Sequence, residues 1–446
     1  MAPQDFDRRT FLRTSASGLA AASLIGTSAL GANDAIVAGF LGCGGRGRQL
    51  VSHVAARDDS RVAYVCDLDP RRLEAGARHA HKQAEARPKA VADFRTILDD
   101  KAVDVLFNAT PDHWHCLPVI RACQAGKDAY VEKPLSHNIW EGRQCVRAAR
   151  KYQRVVQVGT QNRSAPYCHQ ALERIRSGQL GDVYLCRVFN MKNRGPVKAR
   201  PDAQPPPGVD YDLWLGPAPK RPFNPNYFHG RWHWFWDYSG GDIINDGVHQ
   251  IDLARWLVGR ASPASVVCTG GKFAFPDDAQ QTPDTQNIHW EFDRLTLTFE
   301  LTLWTPYMKK TPWDFRNTDD FPHWPFSATR IELYGTRGLM MMGRHGGGWQ
   351  VFGPDGKVAA QAPGRRPTDR HIENLFACIR SRQRPNADVE EGHLSTVLCH
   401  LGNISYRVGG PRLAWDAEAE RFPGDEEANR LVKRPGREPY RIPEEV

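Results

Sequence analysis

Residues 36–47 read Ile-Val-Ala-Gly-Phe-Leu-Gly-Cys-Gly-Gly-Arg-Gly. A short apolar run feeds directly into G-x-G-x-x-G at Gly42, Gly44 and Gly47. This is how a strand, a tight turn and a helix start are written when a dinucleotide pyrophosphate must approach bare backbone. Gly42, Cys43, Gly44, Gly45, Arg46 and Gly47 are therefore expected to cradle a cofactor. Glycine-rich turns are common, so the motif needs a second strand ending in an acid about 20 residues further on. Arg61-Val-Ala-Tyr-Val-Cys66 reads as that strand, and Asp67 follows Gly47 at that spacing. A carboxylate there accepts both ribose hydroxyls and repels a 2′-phosphate, which favours NAD over NADP. Arg71 and Arg72 lie close enough to blunt that preference.

Outward from this unit, apolar runs alternate with helical patterns as far as Gly159. Val103–Ala109, Asp128–Val131 and Val155–Val158 read as strands, with helices over Leu117–Ala125 and Ile139–Tyr152. Such alternation predicts an α/β fold with a doubly wound parallel sheet, the Rossmann arrangement, over residues 35–160. After Gln161 the pattern changes. Gly181–Phe189, Arg294–Leu303 and Arg330–Tyr334 alternate apolar and polar residues, as antiparallel strands with one wet face do. Helices are expected at Asp369–Arg382 and Glu391–Val408, and Gly346-Gly-Gly348 reads as a turn between strands. Residues 161–410 are thus read as an α+β domain on a large, open-faced, mostly antiparallel sheet. Residues 411–446 are read as a C-terminal arm that wraps a neighbouring surface.

The first 34 residues have a different character. Asp7-Arg8-Arg9-Thr10-Phe11-Leu12-Arg13 precedes a mildly apolar Ala/Ser/Gly-rich stretch from Thr14 to Leu30, which resembles a twin-arginine export signal. The stretch is too short and too weakly apolar for a good membrane anchor. The net charge of +8 lies beyond it, because Arg8, Arg9 and Arg13 cancel Asp5, Asp7 and Asp34. With no basic block, that charge reads as scattered surface and gives no reason to expect nucleic acid. The ten cysteines include no C-x-x-C, so neither zinc nor a disulfide framework is indicated. Folding in the cytoplasm before export accounts for free buried thiols.

Ligands of doubly wound sheets sit at the carboxyl ends of the strands. One strand ends in Glu132-Lys133-Pro134, so Lys133 should point at the reacting end of the cofactor and stabilise a developing alkoxide. Another ends in Thr110-Pro-Asp-His-Trp-His115. His113 and His115 have no carboxylate or cysteine partner at ligand spacing, so cofactor packing is preferred and no metal is expected. Thr110, Pro111, His115, Glu132, Lys133 and Gln161 are assigned to the cofactor. In Arg231-Trp-His-Trp-Phe-Trp-Asp-Tyr-Ser-Gly-Gly-Asp-Ile-Ile-Asn-Asp-Gly-Val-His-Gln-Ile-Asp252, a Gly-Gly turn opens a helix running to Leu257. Asn245 and His249 share one face of it. An imidazole beside Lys133 supplies a general base. Trp232, Trp234 and Trp236 offer flat surface for sugar C–H faces or serve as core.

These motifs in this order resemble the glucose–fructose oxidoreductase, inositol dehydrogenase and rhizopine-catabolism (Gfo/Idh/MocA) family, from about residue 35 to at least residue 410. The resemblance implies a Rossmann domain, an open-faced sheet domain that mediates homo-oligomers, and a Lys, Asp, His trio acting on sugars or cyclitols. Lys133 and His249 match two members, while Asn245 stands at the aspartate position. Asparagine cannot take a proton, and neighbouring Asp246 is turned about 100° away on a helix. Lys133, His249, Asn245 and Asp246 are the catalytic candidates, with acid–base work resting mainly on His249. Arg163, Trp232, Trp234 and His249 are assigned to the substrate.

Export and nucleotide binding must be reconciled, since a dehydrogenase consuming free NAD outside the cytoplasm would stop after one turnover. The expectation is an NAD(P)-dependent oxidoreductase with tightly held cofactor and a redox-neutral cycle on a carbohydrate, exported by the twin-arginine machinery to the periplasm or beyond. Two alternatives stand beside it. One is an NAD-dependent glycosidase working by oxidation, elimination, hydration and reduction. The other is a non-catalytic exported sugar-binding protein.

Overall fold

A computed structural model describes residues 35–83, 86–311 and 314–446; the export-signal reading of residues 1–34 lies outside the described residues. Six strands form the first sheet: β1 (Ile36–Leu41), β2 (Ser60–Cys66), β3 (Lys89–Val91), β4 (Val105–Asn108), β5 (Asp128–Val131) and β6 (Val156–Val158). Their order is β3-β2-β1-β4-β5-β6 and every pairing is parallel. The order reverses between β1 and β4, which opens a crevice at their carboxyl ends. Strands β4, β5 and β6 are buried on both faces, which explains why they read as continuous apolar runs. One face packs against Leu117, Ile120, Cys145 and Ala149, the other against Leu50, Val51 and Val54.

Helix Thr368–Ser381 lies far along the chain, yet it joins the second of those faces through Ile372, Leu375 and Phe376. Position in sequence and position in space therefore disagree for this helix. The Phe376 ring meets Phe107 edge-on at a centroid distance of 6.4 Å.

The second sheet holds nine strands: β7 (Val183–Met191), β8 (Ser265–Gly271), β9 (Thr285–Phe292), β10 (Leu295–Thr302), β11 (Arg330–Gly335), β12 (Gly338–Gly343), β13 (Trp349–Phe352), β14 (Val358–Ala362) and β15 (Leu413–Ala414). The order is β14-β13-β12-β11-β7-β10-β9-β8-β15. All pairings are antiparallel except the central β7–β10 contact, which is parallel. Along β9, Gln286, Ile288, Trp290 and Phe292 are buried while Asn287, His289 and Glu291 are exposed. That alternation leaves one face open, as the sequence pattern predicts. Helices Val248–Val258 and Val389–Arg407 supply the covering face.

The C-terminal arm turns back onto the same chain. Arg434 pairs with Glu141 at 2.5 Å, and Ile442 and Val446 are buried in the core beside helix Ile139–Lys151. All ten cysteines are buried free thiols. Among the described residues no helix is long and apolar enough to cross a membrane.

Candidate active site

The crevice at the carboxyl ends of β1, β4 and β5 continues into a cavity of about 530 Å³. Its nucleotide end is shaped by four glycines. Gly42 turns at φ +92°, a conformation side chains avoid, and a Cβ there would lie 2.6 Å from the Ala109 carbonyl oxygen. A Cβ on Gly47 would sit 1.8 Å from the Gly42 oxygen, so this position packs the helix onto its strand. Gly44 and Gly45 line the cavity, and around Gly45 a Cβ would meet nothing. Helix Gly45–Ala55 begins there with no capping side chain and no acid in its first turn. Its first N–H groups and dipole favour an anion. The buried Nη2 of Arg46 has no hydrogen-bond partner. These features fit a dinucleotide pyrophosphate.

Asp67, at the end of β2, lines the cavity and accepts the N–H groups of Cys43 at 2.7 Å and Asp69 at 2.9 Å. Burial pushes its carboxyl pKa up despite those bonds. Each oxygen keeps a lone pair for a ribose hydroxyl. Arg72 also lines this end and donates to the His229 carbonyl at 3.1 Å. His229 in turn meets Asp69 at 2.7 Å. Phe228, His229, Gly230 and Trp232 thus form a strap from the second domain that borders the nucleotide end.

At the other end, Lys133 Nζ donates to the main-chain carbonyl of Asn245. Burial lowers the Lys133 pKa, opposed by Glu132 and Asp112. Glu132 accepts from Arg46 at 2.7 Å and Tyr130 at 3.0 Å, which ties the glycine turn to the end of β5. Gln161 donates to Tyr130 at 2.9 Å from the same wall. Asn245 sits on a wide π-type turn, Ile243–Gly247, where a regular helix is predicted, and the turn leads into helix Val248–Val258, which carries His249. The turn brings both residues to the cavity. The Asn245 amide donates to Asp242 at 2.9 Å, which leaves its oxygen as an acceptor. An aspartate there would oppose the Asp242 carboxylate, a physical reason for asparagine at this position.

His249 is buried at the cavity wall with Nδ1 unpartnered. Burial, with His345, Arg344 and Lys133 nearby, drives its pKa well below the ordinary imidazole value. It is therefore neutral at physiological pH and able to accept a proton. His345 meets its ring edge-on at 4.5 Å.

Thr110, Pro111, His115 and Trp232 line the cavity as expected. Other candidates do not. Cys43 and Gly47 point into the protein core, where Cys43 Sγ approaches the Cys66 carbonyl. Asp246 is turned away and held by Lys310 at 2.5 Å, Arg344 at 2.6 Å and Lys192. Arg163 is fully buried and ion-paired with Asp252 at 2.9 Å and Glu391 at 3.1 Å. Trp234 is core, with Arg194 over its ring at 5.2 Å. His113 packs on Trp214 and Tyr238 and is pushed down to about 3 by burial, so only His115 of that pair reaches the cavity.

Residues the motifs did not single out complete the wall. Asp112 lines the cavity, is held by Ser239 Oγ at 2.5 Å, and has its pKa raised by burial. His345 lines the cavity beside the turn at Gly346, Gly347 and Gly348. Arg316 and Arg366 come from segments with no motif at all.

A six-stranded parallel Rossmann sheet and a nine-stranded open sheet, with Lys133 and His249 lining the cavity at the crevice, define the class as a Rossmann nucleotide-binding fold joined to an α/β sheet unit. The sequence matches the oxidoreductase family's NAD-binding Rossmann fold over residues 36–160 and its C-terminal alpha/beta domain over residues 188–292 and 354–442. The chain belongs to the Gfo/Idh/MocA family, and its first domain is that family's NAD-binding fold. It is 24% identical over 266 residues to the uncharacterized oxidoreductase YrbE of Bacillus subtilis, covering 59% of this chain and 64% of that one. It is 29% identical over 125 residues to a glycosyl hydrolase family 109 protein of Shewanella pealeana, covering 27% of each. The chain thus spans less than two-thirds of the length of these curated relatives. The fold is shared with the WlbA dehydrogenase of Bordetella pertussis, solved with NADH and UDP-GlcNAcA, at a TM-score of 0.63 and 22% identity over 86% of this chain and 99% of that one.

Proposed function

We propose that this protein is an exported, NAD-bound oxidoreductase that acts on a carbohydrate hydroxyl and ends each cycle with its cofactor restored. The observation that carries the reading is the meeting of two walls in one cavity: the glycine turn and Asp67 at one end, Lys133, Asn245 and His249 at the other. Bound NAD supplies an acceptor for hydrogen from a carbinol carbon and can return it. The Lys133 ammonium, fixed by the Asn245 carbonyl, is poised to hold the substrate oxygen as its proton leaves. His249, neutral and with Nδ1 open, takes that proton and gives it back on the return.

Retention of the cofactor follows from the strap. Asp69 grips His229 and Arg72 grips the carbonyl of the same residue, so release requires both contacts to part. The Arg8-Arg9 leader, with export of an already folded protein, belongs to the same reading. So does assembly into homo-oligomers, supported by Tyr184, Trp304 and Phe326, each more than half exposed on the sheet domain.

The likeness to a glycosyl hydrolase family 109 protein favours a second reading, glycoside cleavage by oxidation, elimination, hydration and reduction. Asp112, a buried carboxyl with raised pKa on the cavity wall, would then be the group able to protonate a departing aglycone.

The test is to purify the protein without added nucleotide, denature it and identify what is released. Near-stoichiometric NAD(H) is expected. An empty protein that binds NAD only weakly would overturn the recycling cycle. Glycoside cleavage without added NAD would select the second reading over the first.

A further inference from the structure

At the reacting end of the cavity, two segments are tied together before any ligand arrives. Strands β4 and β5 are parallel neighbours, with Asn108 opposite Val131 at their ends. Asp112 stands on the short turn Asp112–Trp114 that follows β4, and Lys133 on the segment that follows β5. His115 bridges the two exits: its Nδ1 meets the Pro134 carbonyl at 2.6 Å and its Nε2 the Thr110 carbonyl at 2.9 Å. Neighbouring strands run about 4.8 Å apart, so side chains on adjoining exits are able to reach neighbouring hydroxyls of one small ligand.

A single segment of the sheet domain then pins both groups. Ser239 Oγ donates to Asp112 Oδ2 at 2.5 Å, and the Asn245 carbonyl accepts from Lys133 Nζ. Ser239 lies on the approach to the wide turn that carries Asn245, and the helix after that turn carries His249. Asp112, Lys133 and His249 all line the cavity.

The acids on the cavity wall are not equivalent. Glu132 is paired with Arg46, and Asp69 with His229. Asp67 stands at the nucleotide end on main-chain N–H groups. Asp112 is 3 % exposed, and none of the described cations forms an ion pair with it. Burial raises its pKa, against the fields of His115 and Lys133. A carboxyl taken from water needs hydrogen bonds to replace those it loses. Ser239 supplies one, and a carboxyl has room for more.

We propose that Asp112 is a substrate-binding residue whose carboxyl accepts the hydroxyl on the carbon next to the one that Lys133 and His249 engage. The substrate is then a sugar or cyclitol with a vicinal diol, and Asp112 selects for the second hydroxyl. This rests on the sugar-oxidoreductase reading above and names a specificity-determining residue for that site.

The test uses the purified holoprotein. Methyl glucoside and methyl galactoside are titrated beside their 2-, 3- and 4-deoxy analogues, with binding read by calorimetry and reduction of bound NAD read by absorbance. Loss of the reacting hydroxyl should abolish reduction. Loss of its neighbour should weaken binding at least tenfold, the effect of leaving a buried carboxyl without its donor. Asp112→Ala should bind the parent and that second analogue alike. Asp112→Asn keeps an acceptor for Ser239, and should narrow the discrimination while unfolding near wild type; it carries the test if the alanine variant fails to fold. Both variants should release stoichiometric NAD. Reduction of bound NAD with no second sensitive position in the wild type, or discrimination unchanged in the folded variants, would overturn the assignment and leave the oxidoreductase reading standing. Variants that fold but purify without NAD would assign the carboxyl to the cofactor, also overturning it. If none of these sugars binds or reduces bound NAD, the sugar-oxidoreductase reading falls and this inference falls with it.

Discussion

The two ends of one cavity are built by opposite means. The nucleotide end is built mainly on two short neighbouring segments, the glycine turn and Asp67, bordered by Arg72 and the strap at residues 228–232, and works largely through backbone: glycine turns, a helix start, main-chain N–H groups. The substrate end gathers Lys133, Asn245, His249 and His345, which no local segment unites. Backbone recognition tolerates side-chain change but not added volume. Side-chain recognition tolerates neither loss of a charge nor a shift of the segment carrying it. The two ends should therefore fail differently, and that difference can be tested.

Lys133→Ala should cost about 10³-fold in turnover, roughly 4 kcal/mol, while bound NAD stays stoichiometric. Activity within tenfold of wild type would remove Lys133 from the reacting centre. The converse change, Gly47→Ala, places a methyl 1.8 Å from the Gly42 oxygen. Its overpacking should cost up to about 3 kcal/mol in unfolding and strip the cofactor, measured by denaturation and released nucleotide. A stable, NAD-loaded variant would show that this turn is not closely packed.

His249→Gln should lower turnover about 10²-fold with NAD retained. Because His249 has its pKa lowered, the basic form persists as pH falls through the ordinary histidine range. The acid limb of the rate profile should therefore lie below that range, and a limb at the ordinary value would assign the proton to another group. Asp67→Ala should weaken NAD about tenfold, roughly 1.4 kcal/mol, and narrow the margin over NADP, read from nucleotide titrations. An unchanged NAD/NADP ratio would leave discrimination to Arg72.

The smallest effect concerns the C-terminal arm. Glu420 bonds His393 at 2.6 Å and Arg143 at 2.7 Å, and its pKa is lowered to about 2. A carboxylate depressed in the folded state stabilises it above the unfolded value and loses that contribution as pH falls toward the folded one. Glu420→Gln should thus lower the unfolding midpoint modestly at neutral pH and converge with wild type near pH 2. A constant difference across that window would mean packing rather than charge.

Much of this was written in the sequence. The strand β5 over Asp128–Val131 has the predicted bounds, and helices Ile139–Lys151 and Val389–Arg407 fall close to theirs. These elements are legible because burial imposes a periodicity on neighbouring residues. Lys133 and His249 could be placed because each follows a recognisable strand end or helix turn. Arg163 and Trp234 lie in the core rather than at the cavity for a shared reason: a cation or an aromatic can serve a ligand or the core equally well, and only the partner decides. For Arg163 that partner is Asp252, and for Trp234 it is the buried interior under Arg194.

Sequence alone determined the parallel nucleotide sheet, the glycine turn with its acid, and the lysine and histidine that face it, since each is specified by residues close together in the chain. Tertiary structure alone decided that helix Thr368–Ser381 packs on the first sheet, that the C-terminal arm folds back beside helix Ile139–Lys151, and that Asp112, Arg316, His345 and Arg366 line one cavity. Those placements depend on contacts between residues hundreds of positions apart, and such contacts leave no spacing for a sequence to display.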